Sequence, residues 1–173
     1  MIHSKLFAMS VMAFAFVAAC DTDDDNGTGP TAQTFTASLT GAKERPTPRT
    51  TPANGSATFT LSADGNTLTW NVTMTGANNV FASHIHVGGL ECDCPVAFGI
   101  FSGTAVSNPA ISGSVTRATY SSPLGISFDA LISLMRSGDT YVNVHTNDGV
   151  APTNTGPGDF PGGELRGQIS LVP

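Results

Sequence analysis

Six side chains carry most of the chemistry open to this chain: His84, His86 and His145, the cysteines Cys92 and Cys94, and Arg166. The histidines fall in two β-rich stretches, His84-Ile85-His86 and Val144-His145-Thr146. In an extended strand, residues two apart share a face, so the imidazoles of His84 and His86 point together, roughly 6.6 to 6.8 Å apart along the chain. The same alternation turns Ile85 and Val87 toward a core. In the second stretch it points Val142 and Val144 inward and Tyr141, Asn143 and His145 outward. If the two strands are neighbours, three imidazoles converge on the solvent side of one sheet. Neutral imidazole suits copper and zinc, and a rigid sheet fixes its direction, so the pattern predicts a metal site, copper first and zinc second. The competing reading is that the rings hydrogen-bond to nearby turns and staple the sheet.

Cys92 and Cys94, one residue apart, read as a disulfide in an oxidising setting. A ring closed over so short a span is strained and readily reduced. The alternative is a mixed site with the histidines, since thiolates are soft ligands that favour Cu(I). Glu164 and Arg166 share a strand face and are expected to pair as surface ions or to stand near the metal. Trp70, Met74 and Met135 each belong to an apolar periodicity and read as core. No nucleophile elbow, phosphate-cradling loop or acid/base carboxylate pair is present, so hydrolase and kinase chemistry have no support.

The N-terminal end reads as an export signal over residues 1–19, with Lys5 ahead of an apolar run from Leu6 to Val17. That run is shorter than the ~18 residues of a membrane span. Val17-Ala18-Ala19-Cys20 is similar to a bacterial lipobox, which implies acylation of Cys20 and attachment to a membrane. Residues 20–33 are acidic and rich in Gly, Pro and Thr, a solvated tether with little to bury. The expected location is therefore the cell envelope, periplasmic or outer surface, with the domain tethered by lipid. The whole chain carries a net charge of −6, and losing Lys5 with the leader makes the mature form more acidic still. With no Lys/Arg cluster it has no electrostatic footprint for nucleic acid.

From Thr34 onward, period-two alternation rich in Thr, Val and Phe predicts strands, and residues 34–173 suit one domain. Phe35, Ala37 and Leu39 alternate in a first strand, Ala57, Phe59 and Leu61 in a second, and Leu68, Trp70, Val72 and Met74 in a third. Asp64-Gly65 supplies the positive φ angle that joins the last two as a hairpin. Further strands are expected at 80–87, 96–101, 112–119, 140–146 and 164–172. One helix is expected over 128–136, with Ser127 as its N-cap and Gly138 as its stop. The fold class is all-β: an antiparallel Greek-key sandwich or flattened barrel with one short helix.

Four stretches in order, FTASLTGAKERPTP (35–48), GSATFTLSADGNTLTWNVTMTG (55–76), ASHIHVGG (82–89) and YVNVHTNDG with FPGGELRGQISL (141–149 and 160–171), resemble the CHRD (chordin) domain. The departure is Glu91-Cys92-Asp93-Cys94, where relatives carry a Gly- and Asn-type loop. Resemblance to chordin implies extracellular recognition, a non-catalytic protein- or ligand-binding module using loops 43–54 and 147–162, its protein partner unidentified. The histidine pattern also bears a partial likeness to copper/zinc superoxide dismutases. That likeness implies His84, His86 and His145 as copper ligands and Arg166 as an anion-steering cation in a redox reaction. No further histidines stand where the bridging and zinc ligands would be, so a second metal is not expected.

Overall fold

The computed structural model describes residues 29–173. The expected leader, the expected lipidation at Cys20 and most of the expected tether lie outside the described residues. The elements run β1 (Gln33–Thr40), a 3-10 turn (Gly41–Lys43), β2 (Asn54–Leu61), β3 (Thr67–Thr75), β4 (Val80–Val87) and β5 (Val96–Val106). They continue with β6 (Ile111–Thr116), α1 (Phe128–Ser137), β7 (Thr140–Thr146), β8 (Leu165–Gln168) and β9 (Ser170–Leu171). Every pairing is antiparallel. Among the described residues the strands form one sheet in the order β5-β4-β7-β8-β1-β2-β3-β6, with β9 added to β1. The end strands β5 and β6 come alongside each other, so the sheet curls into a nearly closed barrel. The all-β expectation holds, and of its two forms the structure takes the barrel. No helix among the described residues is long and apolar enough to cross a membrane.

The alternation acts as the sequence implies in the first half. Phe35, Ala37 and Leu39 on β1, Ala57, Phe59 and Leu61 on β2, and Leu68, Val72 and Met74 on β3 are buried in one core. Their Thr and Ser neighbours face out. Trp70 departs from this rule. It is half-buried and packs on the edge of the core, its ring next to Gly113 of β6, directly opposite, and edge-on to Phe98 at 5.6 Å between centroids. The β2/β3 hairpin turns as expected at Gly65, whose φ is +69°, and Leu61 pairs with Leu68. The Ser127 hydroxyl caps α1 by accepting from the Ala130 N–H at 3.1 Å, and Gly138 ends it in the left-handed region. Phe128, Leu131, Ile132 and Met135 bury the helix face.

Two stretches differ from expectation. The segment expected as one strand over 164–172 is split: β8 sits between β7 and β1 and pairs with both, whereas β9 pairs with β1 alone. Buried Ile169 marks the changeover, its N–H donating to the Thr140 carbonyl at 2.9 Å. The second difference bears on function. β7 is buried on both faces, with Tyr141 fully enclosed and Asn143 3 % exposed, although alternation placed them in solvent. Segments 43–53, 88–95 and 147–163 fold over this face and bond to Asn143, Tyr141 and His145 through Glu44, Cys94 and Pro161.

Candidate metal centre

β4 and β7 are neighbours, and their register sets the histidines close together. His84 stands opposite Asn143 and Ala82 opposite His145, so His84 and His145 are diagonal partners on one face. The ring centroids are separated by 4.9 Å for His84 and His145, 5.8 Å for His84 and His86, and 6.2 Å for His86 and His145. One ring nitrogen from each lies within 4.8 Å of the others. A metal at about 2.1 Å from each nitrogen tolerates at most about 4.2 Å between them, so small ring rotations close the site. On the other side of β4, Gly99 faces His84 and leaves its ring uncrowded.

The backbone fixes the protons. The Cys94 carbonyl takes a hydrogen bond from His86 Nδ1 at 2.6 Å, and the Pro161 carbonyl takes one from His145 Nδ1 at 2.9 Å. A carbonyl only accepts, so both rings carry their proton on Nδ1 and present a lone pair at Nε2. Orientation by an outer carbonyl is the usual arrangement around a metal-bound histidine. His86 Nε2 is buried with no hydrogen-bond partner, and His145 Nε2 accepts from His84 Nδ1 at 3.1 Å.

All three rings favour the neutral form that ligation requires. Burial lowers the His84 pKa to about 4, with the neighbouring His145 adding to the effect. Burial likewise lowers His86 and His145, against the opposing pull of their carbonyl partners. His86 stacks on Tyr141 at 4.8 Å between centroids, with the planes 16° apart.

Arg166 lies on β8 opposite Asn143 and is 2 % exposed. Its guanidinium sits 3.4 Å from the Tyr141 ring centre and donates to the carbonyls of Cys92 at 2.6 Å and Gly89 at 2.8 Å. It clamps the 88–95 loop onto the sheet. The expected surface pair with Glu164 does not form. Glu164 is fully buried and accepts from the Thr51 and Thr146 hydroxyls and the Gly158 N–H, which tie two loops and the end of β7 to the start of β8. Cys92 and Cys94 are paired as a disulfide, with Cα atoms 5.2 Å apart, and the histidine cluster contains neither of them.

Sequence reasoning missed Glu44. In the run Lys43-Glu44-Arg45 it reads as a solvated charge, yet it is 1 % exposed and accepts from Asn143 Nδ2 at 3.3 Å. Burial raises its pKa to about 7, against the pull of Arg166. The only signal available was its place inside the first motif. The CHRD domain family model matches residues 35–169 of the chain. No curated protein matches it.

Proposed function

The chain belongs to the CHRD-domain family, and from that premise we propose that its domain binds one metal ion, most readily copper, through His86 Nε2, His145 Nε2 and a ring nitrogen of His84. The observation that carries this reading is the convergence of three neutral imidazoles, two of them aimed by backbone carbonyls. A purely nitrogen donor set suits copper and zinc alike, and the affinity order of divalent ions favours copper. Copper held there would supply one-electron chemistry, including reaction with superoxide. In that setting Arg166 holds the loop that aims His86, a positioning role that its two carbonyl contacts support better than anion steering. The domain is exported and tethered to the envelope membrane by lipid on Cys20, so that the site faces the extracytoplasmic space.

A second reading is a non-catalytic recognition module. It is favoured by Leu90, 64 % exposed, and Val150, 63 % exposed, in two of the loops that cover the histidine face. The test that separates the two is metal analysis of the purified chain after copper or zinc loading, beside His84→Ala and His145→Ala. The metal reading requires about one ion in the parent chain and a clear loss in both variants. Equal content in all three leaves recognition alone.

A further inference from the structure

The Cys92–Cys94 bond is wired directly into the histidine site. The Cys94 carbonyl holds His86 Nδ1 at 2.6 Å, its N–H donates to the Tyr141 hydroxyl at 3.0 Å, and that same hydroxyl lies 3.2 Å from its carbonyl. The Cys92 carbonyl takes Arg166. Beneath the sulfurs lies Gly88, where a Cβ would stand 2.5 Å from the Cys92 sulfur and 2.7 Å from that of Cys94. Gly88 is itself pinned by its N–H to the Asp139 carbonyl and by its own carbonyl to Gln168 Nε2, both at 2.8 Å. The sulfurs therefore occupy the space a side chain at 88 would take, over a backbone pinned at both its N–H and its carbonyl.

We propose that Cys92 and Cys94 form a thiol–disulfide exchange site for small dithiol reductants, and that its redox state sets the aim of His86. The exchange balances in two steps. A thiolate of the reductant attacks one sulfur, forming a mixed disulfide and releasing the other cysteine as a thiolate that takes up a proton. The second thiol of the reductant then displaces the first cysteine and closes its own disulfide, so two electrons and two protons pass to the chain. A loop spanning a single intervening residue gains little closure entropy from the bond, which leaves it open to reduction. Both sulfurs belong to half-buried residues flanked by exposed Glu91 and Asp93, within reach of a small reagent.

Once unbonded, the sulfurs must separate to van der Waals contact. Gly88 blocks movement downward, so the 92–94 backbone lifts and draws the Cys94 carbonyl away from His86. Loss of such an orienting partner lowers metal affinity about 10- to 100-fold. The affinity consequence rests on the metal reading, whereas the movement of His86 does not.

The test uses the full chain, folded and metal-free, treated anaerobically with dithiothreitol. Thiol alkylation reports the bond, and nitrogen NMR of the His86 ring reports its Nδ1 hydrogen bond. Zinc titration of Cys92→Ser/Cys94→Ser, which has no thiolate to bind metal, gives the affinity arm. The expected results are reduction without unfolding, a shifted His86 signal and a 10- to 100-fold weaker zinc site. Resistance to reduction until the chain unfolds, or an unmoved His86 signal after reduction, overturns the proposal. A shifted His86 signal with no zinc bound by any form supports the exchange site and removes the metal reading instead.

Discussion

His84 Nδ1 lies 3.1 Å from His145 Nε2 across the β4/β7 pair, and since the Pro161 carbonyl holds the other His145 proton, the bridging proton belongs to His84. A metal taking both atoms must displace it. His84 meets this by moving the proton to Nε2, its other neutral tautomer, so binding releases no net proton near neutral pH, and ring protonation competes only weakly because burial pushes His84 down to about 4. Affinity measured by calorimetry should stay nearly level as pH falls to the ordinary histidine value of 6.5 and drop only below it, since burial lowers all three rings. A fall centred on the ordinary value would show that the rings are not desolvated.

Glu44 and His84 oppose each other in the pH dependence of stability. The folded state holds the Glu44 proton up to about 7 against an ordinary 4.5, so that contribution is complete below 4.5 and is lost as pH rises through about 7. The folded state keeps His84 neutral down to about 4 against an ordinary 6.5, so its contribution is complete above 6.5 and is lost as pH falls toward about 4. Glu44→Gln removes the first term alone. The stability of the variant relative to the parent, from urea unfolding, should rise from about pH 4.5 and level off above about 7. A difference constant with pH would mean Glu44 is ionised throughout.

Arg166→Ala leaves the Gly89 and Cys92 carbonyls without their charged donor and should cost about 3 kcal/mol by denaturant midpoint. Arg166→Lys keeps the charge but neither the fork nor the flat face over Tyr141, so it should recover less than half of that. Full recovery with lysine would assign the clamp to charge alone.

Ser127→Ala removes the only side-chain cap on α1 and should lower stability by about 1 kcal/mol, with metal content unchanged. Calorimetric unfolding beside metal analysis checks both halves, and a change in metal content would tie the helix to the site.

Gly163→Ala should be strongly destabilising. The residue sits at φ +133°, and an added Cβ would stand 2.6 Å from Asn143 Oδ1 and 2.8 Å from Glu44 Oε2. Backbone strain and displacement of the buried pair together should exceed about 2 kcal/mol, read from the thermal midpoint. A neutral result would show that Asn143 and Glu44 can shift freely.

The regular elements were legible because their causes are local. Alternation of Phe35, Ala37 and Leu39 with threonine and serine makes a strand wherever one face is buried, and Ser127 and Gly138 bracket a helix by their own backbone preferences. The nearness of His145 to His84 and His86 followed once the two stretches were taken as neighbours, since a period of two leaves each ring a single face. The family was readable for the same reason, from motifs contiguous in the chain.

Which side of that face meets water was not legible. Period-two reasoning treats every non-core face as solvent, but segments 43–53, 88–95 and 147–163 have no period of their own, and only the closed barrel shows them folded over β7. Their covering makes Arg166 a clamp, raises the Glu44 pKa to about 7 and sets the tautomers of His86 and His145. These properties come from backbone carbonyls and desolvation supplied by residues distant in sequence, and a one-dimensional pattern carries neither.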